Sequence, residues 1–559
     1  MKNLRILLMV VLLCMTLNAN SQESFSATKQ AVYKHYSAKS DSLKRKAADY
    51  LFKFMQYHYF KSSNIQEDFQ KETFEALNKG TISYYDIDSS VDEVYAKYNK
   101  IFFADTISEA YHQYWKQMDG DVLSADYIIN NIDKAFESWN NDSWSKHLSF
   151  QQFCEYILPY RIGNEKAEEW RDNLRKEYMP QLSMLLKIED RKKSAYWAAS
   201  YLNNALKKKH FSLKNLYYYK SNDLPVSVLD NMQTGTHKQF AMLTGYVMRS
   251  CGIPVTVDFT PMVNLASTYH YLDEWFRWNV YWNTVLDNTG KFVPFVGGWS
   301  NPGYPCFDGY KLPKVYRYTY EYQPESLGAL NEKFGEEVPK DLESPFIKDV
   351  TDEYTSTTDL SFDLSDTDLG DSHFVYLVSL GDNNIPYFLD FAQRTKKGKV
   401  VFDKVGKDMV YLPALYKMTQ SKRYIGYPVW IKANGEKQIL KPDTKNDVTL
   451  EMDRIYPVVA KISFKDYTFK DTNFDNGPEG YPEIDESKGR LKDGKVYTLN
   501  YFDKNGEVVD QRQNAKCTNG KLCFTNVPSN ALMYVSLEDG NDIYTYKYFT
   551  VEDGKIVWL

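Results

Sequence analysis

Turn-forming dipeptides in the C-terminal part of this chain set the strongest limit on its fold. Short apolar runs after residue 346 are separated by such pairs, including Asn434-Gly435, Asn505-Gly506, Asn519-Gly520 and Asp553-Gly554. Asn-Gly and Asp-Gly pairs favour the positive backbone angles of two-residue hairpin loops. A stretch of roughly 210 residues with this pattern fits two antiparallel β-sandwich modules. We therefore predict one module over 347–445 and a second over 446–559.

The N-terminal part has the opposite pattern, with few glycines and with apolar residues at helical spacing. Within 41–58, the apolar residues at this spacing are Leu43, Ala47, Leu51, Phe54 and Met55. Looser versions of the pattern occupy 121–139 and 164–186. A helical N-terminal region is therefore predicted over 22–190.

Residues 191–325 combine helical and strand signals. Helices are predicted at 195–209 and at 237–250, where Gly252 provides the stop signal. Strands are predicted at 255–259, 278–286 and 292–295. Residues 326–346, with two prolines and scattered charges, are predicted to form a linker. The chain is thus expected to be a multidomain α+β protein.

The first 21 residues have the order of a secretory signal peptide. Lys2 and Arg5 precede 12 apolar or near-apolar residues, and Ala19-Asn20-Ser21 follows them. The apolar run is shorter than the roughly 20 residues that span a bilayer, so no membrane span is expected. Leu12-Leu13 before Cys14 supplies no small residue, which argues against a lipoprotein. We expect an exported protein, located in the periplasm or outside the cell, with cleavage after Ser21.

The cysteine count and the charge narrow the function classes. The cysteines after the signal segment are Cys154, Cys251, Cys306, Cys517 and Cys523. A three-residue loop at Asn519 to Lys521 would place Cys517 opposite Cys523, so a disulfide and two separate thiols both fit the sequence. The net charge of −6, with no basic block beyond Lys207-Lys208-Lys209, argues against nucleic-acid binding as the main function.

Four parts of the sequence carry a resemblance to a known protein family. They are Gly235-Thr236-His237-Lys238-Gln239-Phe240-Ala241, residues 249–255, residues 282–287, and the pairs Gly290-Lys291 and Pro294-Phe295. Together they resemble the core of the transglutaminase-like superfamily. Weaker matches at 153–170, 527–532 and 553–558 resemble secreted multidomain proteins of the Bacteroidetes type. The resemblance implies a papain-like α+β core that performs acyl transfer through a thioester. It also implies a cysteine at the start of the first helix, a histidine two residues before a Trp on a strand, and an acid on the next strand.

This sequence departs from the family pattern at each catalytic position. His237 stands where the cysteine is implied, and counting back from Trp282 places Val280 at the histidine position. Residues 292–298 contain no acid. Imidazole at a helix N-terminus is a weak acyl nucleophile, and valine cannot transfer protons. The resemblance therefore implies the fold and argues against the activity.

Cys251, His270 and Cys306 could replace the missing catalytic groups, and each also has a simpler interpretation. Cys251 lies at the far end of the helix on its apolar face, which suits a core thiol. His270 could approach the cleft or belong to a loop, and Cys306 would need an entirely new set of partners. Neither the histidine spacing nor the acidic loop with Asp471, Asp475 and Asp485 matches a known metal site, and no phosphate loop occurs. No metal and no cofactor are expected.

Aromatic residues, 16% of the chain, are dense around the altered site. Flat amphipathic rings suit sugars and extended peptides, although alternate members of a strand would instead pack the sheet against the helix. The candidates for an aromatic-lined binding cleft are His237, His270, Trp275, Trp278, Trp282, Trp299 and Tyr304.

Three functions remain open from the sequence. The first is a catalytically inactive protein that binds a glycan, a peptide or a peptidoglycan fragment. The second is an active cysteine-type acyl hydrolase or transferase that uses replacement residues. The third is a structural or assembly subunit that makes contacts through its β-sandwiches.

Overall fold

The computed structural model combines helices with several antiparallel sheets. It describes residues 24–62, 115–209, 212–213, 224–231, 234–235, 237–262, 264–265, 280–296, 310–381, 386–395, 398–416, 423–455, 490–503, 513–537 and 547–559. The predicted signal segment 1–21 and the acidic loop with Asp471, Asp475 and Asp485 lie outside these residues.

In its described residues, 24–62 and 115–190, the N-terminal region is mainly helical, as predicted. Its helices are α1 (24–35), α2 (Ser42–Met55), α3 (Asp119–Val122), α4 (Ala125–Asn141), α5 (Phe150–Tyr156) and α6 (Arg171–Tyr178). The helix predicted at 164–186 is only the short α6, and two 3-10 turns, Met179–Leu182 and Leu185–Lys187, follow it. Pro180 explains the early end of α6, because proline lacks the amide hydrogen that a continuing α-helix needs. The strands β1 (Tyr59–Ser62) and β2 (Trp115–Met118) pair with each other, which the sequence did not predict.

The central region forms a five-stranded sheet covered by helices. Its helices are α7 (Ala195–Lys209), α8 (Val226–Asn231) and α9 (His237–Ser250). Its strands and bridging pairs are β3 (Ser212–Leu213), β4 (Thr234–Gly235), β5 (Val255–Thr260), β6 (Asn264–Leu265), β7 (Val280–Leu286), β8 (Phe292–Val296), β9 (Tyr310–Lys311), β10 (Tyr316–Tyr318) and β11 (Ile347–Asp349). The sheet order is β11-β10-β5-β7-β8. The helices predicted at 195–209 and 237–250 and the strands predicted around β5, β7 and β8 are confirmed.

Gly252 ends α9 for a steric reason as well as a conformational one. Its φ of +72° lies in the left-handed region, and a Cβ there would lie 2.4 Å from Asp142 Oδ2. Asp142 in turn accepts two hydrogen bonds from Arg175 of α6, each 2.8 Å long. The absence of a side chain at Gly252 therefore allows the end of α9 to pack closely against Asp142 of the N-terminal region.

The stretch 326–346, expected as a linker, is packed structure. Ser326 caps the short helix α10 (Leu327–Asn331), and a 3-10 turn follows at Lys340–Leu342. Leu327, Leu342 and Phe346 are buried. Because β11 pairs with β10, the central sheet continues past 325, and the stretch connects two neighbouring strands of one sheet. Composition alone suggested a linker, but the long-range pairing buries the segment.

The first β module contains strands β12 to β19, and their sheets enclose one apolar core. The strands are β12 (Thr357–Asp363), β13 (Phe374–Leu380), β14 (Pro386–Gln393), β15 (Lys399–Gly406), β16 (Met409–Leu415), β17 (Arg423–Tyr424), β18 (Val429–Ile431) and β19 (Lys437–Ile439). One sheet has the order β14-β13-β16-β18-β19, and β12 pairs with β15. This arrangement is compatible with the predicted sandwich.

The second β module has the same kind of arrangement. Its strands are β20 (Asp443–Met452), β21 (Val496–Tyr501), β22 (Gln513–Lys516), β23 (Leu522–Ser529), β24 (Met533–Leu537), β25 (Phe549–Glu552) and β26 (Lys555–Trp558). The sheet β22-β21-β24-β25-β26 faces the pair β20-β23 across a common core. A separate buried cluster, which includes Leu380, Leu412, Phe502 and Leu532, joins the two modules.

Cys517 and Cys523 are not bonded to each other in this structure. Thr518 bridges to Lys521 across a two-residue loop, in which Asn519 and Gly520 have φ values of 52° and 70°. The sequence also allowed a three-residue loop at Asn519 to Lys521, and the observed loop is one residue shorter, which shifts the strand register by one residue. Successive residues of a strand point to opposite faces, so Cys517 is buried while Cys523 is exposed.

His58 connects the end of α2 to the central region. Its imidazole is buried between the rings of Tyr320 and Phe346, with centroid distances of 4.4 and 3.9 Å. Nε2 lies 2.8 Å from the Tyr320 carbonyl oxygen, which can only accept, so Nε2 carries the proton. Nδ1 is buried without a hydrogen-bond partner. Burial, and then the nearby Arg161 guanidinium, lower the pKa of His58 well below its usual value.

We expect His58 to make the protein less stable in mild acid. The unfolded chain binds a proton at this residue below pH ~6.5 while the folded chain does not, so stability falls as the pH falls. The contribution reaches about 1.4 kcal/mol per pH unit. In His58→Gln, which keeps a donor for Tyr320, the free energy of unfolding should lose this part of its slope between about pH 6.5 and 5. His35→Gln, at an exposed position, is the matched control, and equal slopes in wild type and His58→Gln would contradict the prediction.

Candidate functional site

The candidate site lies where the first turn of α9 meets the central sheet. α9 begins at His237 and packs against β5 and β7. Asn283 of β7 fixes this contact, because its Nδ2 donates to the Ala241 carbonyl oxygen over 2.7 Å. Residues 281, 283 and 285 of β7 therefore face the helix, since side chains alternate along a strand.

Lys238 places a cation above tyrosine rings at this site. Its Nζ lies 5.6 Å from the ring centroid of Tyr281 and 5.7 Å from that of Tyr318. Both distances are within the range of a cation–π interaction. Tyr281 also stacks on Phe259 of β5, with centroids 5.0 Å apart and planes inclined by 17°. The first turn of α9 thus carries a lysine whose ammonium group lies over two tyrosine rings.

Val280, the position implied for a histidine, is on the other face of β7. It packs against the cluster formed by Trp282, Leu312, Val315 and Val350. The residue of β7 that faces the α9 side in its place is Tyr281. Counting back from Trp282 located the strand but gave no information on which of its faces meets the helix.

Trp282, a predicted cleft residue, is part of the protein core. Its side chain is 0% exposed, and its indole nitrogen lies 3.0 Å from the Tyr354 hydroxyl. Tyr281 packs in the central core beside α9, so the two neighbouring residues point to opposite faces of β7.

A polar cluster that no sequence pattern indicated lies next to Trp282. Asp258 is fully buried, and it accepts hydrogen bonds from Arg317 Nε, Arg317 Nη2 and the Tyr354 hydroxyl over 3.0, 2.9 and 2.5 Å. Burial, and then the Asp258 carboxylate, raise the pKa of Tyr354 well above its ordinary value. The Arg317 guanidinium also lies 4.0 Å from the ring centroid of Phe292. The cluster binds β5, β10 and β8 together, and β10 was not among the predicted strands.

Residues 158–161 belong to the segment 153–170 that resembles a helical family segment, and they help to hold α9 in place. Arg161 forms a buried ion pair with Asp119, at 2.8 Å, and Tyr160 donates to the same carboxylate over 2.7 Å. Arg249, in the last turn of α9, donates to the Arg161 carbonyl oxygen over 2.9 Å. Glu165 accepts from the Ile162 amide and from the Tyr246 hydroxyl of α9. These contacts fix α9 against the N-terminal region.

Two described thiols, Cys251 directly after α9 and Cys154 on α5, are poorly suited to nucleophilic chemistry. Burial raises the pKa of the Cys251 thiol to about 12, and the pKa of Cys154 rises to a similar value for the same reason. Cys251 Sγ lies 3.7 Å from the Ser250 hydroxyl, and its side chain belongs to the central core. Because the thiolate is the reactive form, both cysteines are inert at neutral pH.

Several candidate residues lie outside the described part of the chain. The backbone of His237 is described as the start of α9, but its side chain is not. The candidates outside the described residues are His270, Trp275, Trp278, Trp299 and Tyr304, together with Cys306.

Among the described residues, no group of three or more His, Cys, Asp or Glu side chains could hold a metal ion. None of the helices in that part of the chain has the length and apolar character needed to cross a bilayer.

No family model matches this chain, and no curated protein matches it.

Proposed function

We propose that this protein is an exported, catalytically inactive relative of the transglutaminase-like superfamily, and that it binds a glycan, a peptide or a peptidoglycan fragment beside α9. The order of elements supports this, since α9 precedes the antiparallel strands β5, β7 and β8 as the resemblance implies. His237 stands in the place of the nucleophile.

The observation that carries the proposal is the arrangement of Lys238 over Tyr281 and Tyr318. A thiol paired with an imidazole is what acyl transfer needs at this point. A cation over flat aromatic rings is instead suited to hold the carboxylate or the sugar ring of a ligand.

Activity assays separate this proposal from the alternative of an active cysteine enzyme. Wild-type protein should show no amidase or transamidase activity and no covalent trapping by a thiol-directed acyl probe. His237→Cys alone should remain inactive, because no imidazole from β7 reaches the new thiol. The double variant His237→Cys, Tyr281→His places an imidazole on the face of β7 that meets α9. It is therefore a better test for restored activity than His237→Cys, Val280→His, whose imidazole would lie on the opposite face. Trapping of the wild-type protein at Cys306 or Cys251 that His270→Ala abolishes would establish the active enzyme instead.

Binding assays test the positive part of the proposal. Calorimetry against soluble glycans, peptides and peptidoglycan fragments should identify a ligand that Lys238→Ala binds about tenfold more weakly. Lys291→Ala, at an exposed lysine of the β7–β8 turn, is the control and should bind like wild type. Equal binding by both variants would place the ligand elsewhere on the protein.

A further inference from the structure

The helical hairpin α1–α2 concentrates positive charge in an acidic protein. The whole chain has a net charge of −6, whereas residues 24–58 contain seven lysines and arginines against two aspartates. The two helices run antiparallel, since Phe25 contacts Phe52 and Tyr33 donates to Asp49. Six apolar residues of α2 are buried, namely Ala47, Ala48, Leu51, Phe52, Phe54 and Met55, so the opposite side of the helix, with its charged residues, faces outward.

Four cations form one surface, called the basic face here: Lys29, Arg45, Lys46 and Lys53. Arg45, Lys46 and Lys53 are exposed on one side of α2, and Lys29 reaches that side from α1. The Arg45 guanidinium lies 5.0 Å from the Tyr33 ring centroid, and Lys29 Nζ lies 5.6 Å from it. The described structure gives none of the four an ion pair, whereas the neighbouring Lys44 is bound to Asp133 at 2.8 Å.

An aromatic pair continues the basic face at the end of α2. Tyr57 follows Lys53 by four residues, is 41% exposed and stacks on Tyr322 with ring centroids 4.4 Å apart. The carboxylate of Glu332 accepts from the Tyr322 hydroxyl, and Glu321 is half-buried near Lys53. Burial, and then Glu332, raise the pKa of Tyr322 to about 12, so this hydroxyl remains a donor.

We propose that the basic face and the Tyr57–Tyr322 pair bind an acidic polysaccharide. The 14 residues of α2 extend about 21 Å, which allows successive anionic groups of one polymer to meet successive cations. The exposed tyrosine offers a flat ring on which a sugar face can stack. An anionic membrane is the less suitable partner, because apart from Leu43 the helix keeps its apolar residues in the core. The four cations lie on α1 and α2, and none of the proposed residues belongs to α9 or β7, so the inference does not depend on the proposed function.

The test measures binding of the full mature chain to two acidic probes, heparin and polygalacturonate, and to neutral dextran. We expect binding to both acidic probes, weakened by added salt, and none to dextran. The triple variant Arg45→Ala, Lys46→Ala and Lys53→Ala should bind about tenfold more weakly, and Tyr57→Ala should weaken binding severalfold. The control variant Lys187→Ala, Arg191→Ala and Lys193→Ala removes the same charge from another exposed segment and should bind like wild type.

Three outcomes would overturn the inference. Equal losses in the two triple variants would show only a general effect of net charge. Unchanged binding by Tyr57→Ala would remove the aromatic part of the site. Binding to vesicles containing anionic phospholipid, without binding to either acidic probe, would assign the surface to a membrane. Circular dichroism and urea unfolding confirm that each variant is folded before its binding is compared.

Discussion

Arg161→Leu should destabilise the protein by about 3–5 kcal/mol, because it leaves the buried Asp119 carboxylate without its cation. Both side chains of the pair are 0% exposed, and the ion pair is 2.8 Å long. Burial already raises the pKa of Asp119, while Arg161 opposes that rise. The variant must therefore either bury an unpaired charge or protonate the carboxyl. The free energy of unfolding in urea, followed by tryptophan fluorescence, measures the loss.

A double variant and a surface pair make this experiment specific. Replacing Arg161 and Asp119 together by leucine should cost less than the sum of the two single changes. Each single change leaves one buried charge without a partner, whereas the double variant leaves none. Lys134 pairs with Asp172 at 3.0 Å on the surface, so Lys134→Leu should cost less than about 1 kcal/mol. A loss for Arg161→Leu as small as that of Lys134→Leu would show that the buried pair does not stabilise the fold.

Lys314→Met should have an effect of similar size at the junction between the central region and the first β module. The Lys314 ammonium is 1% exposed and lies 2.5 Å from Asp349, 2.9 Å from Asp390 and 2.6 Å from the Asp403 carbonyl oxygen. Methionine fills a similar volume but leaves Asp390 buried without a cation, at a cost of about 3–5 kcal/mol. Urea unfolding at pH 7 measures the change, and Lys404→Met, which removes an exposed pair, is the control.

The Lys314→Met penalty should depend on pH in a defined direction. Burial raises the pKa of Asp390, and Lys314 opposes this, so the variant raises that pKa further. The folded variant then takes up a proton at a higher pH than the unfolded chain, whose aspartates titrate near pH ~3.9. The penalty is therefore full at neutral pH and shrinks as the pH falls, because the neutral carboxyl tolerates burial. A penalty that is constant from pH 7 to 4.5 would show that Asp390 is not the group left unpaired.

Local signals predicted the elements that depend on local sequence. The periodicity of α2, the length of α7 and the Gly252 stop of α9 are properties of short segments, and each prediction matches the structure. The packing of 326–346 depends instead on β10 pairing with β11, two strands that have 28 residues between them in the sequence. No local pattern contains that information, because the segment is polar enough to resemble a linker.

At the candidate site, the sequence predicted the helix and strands but not the face that each side chain occupies. Strand alternation required Tyr281 and Trp282 to diverge, and the resemblance indicated the strand. Which of the two faces α9 is decided by Asp258, Arg317 and Tyr354, whose buried cluster occupies the Trp282 side. That cluster joins residues from three distant segments, so only the folded chain reveals it.

The close junction at Lys314 also limits how this protein can be divided. Gly406 donates its amide to the Pro313 carbonyl oxygen over 3.0 Å, and a Cβ at that glycine would lie 2.0 Å from the Leu312 carbonyl oxygen. A chain truncated at 325 would lose β11 and leave the outer edge of β10 open, with Lys314 deprived of both its carboxylates. A stable fragment of this chain must therefore keep the central region and the first β module together, because β11, Asp349 and Asp390 complete contacts that begin before residue 325.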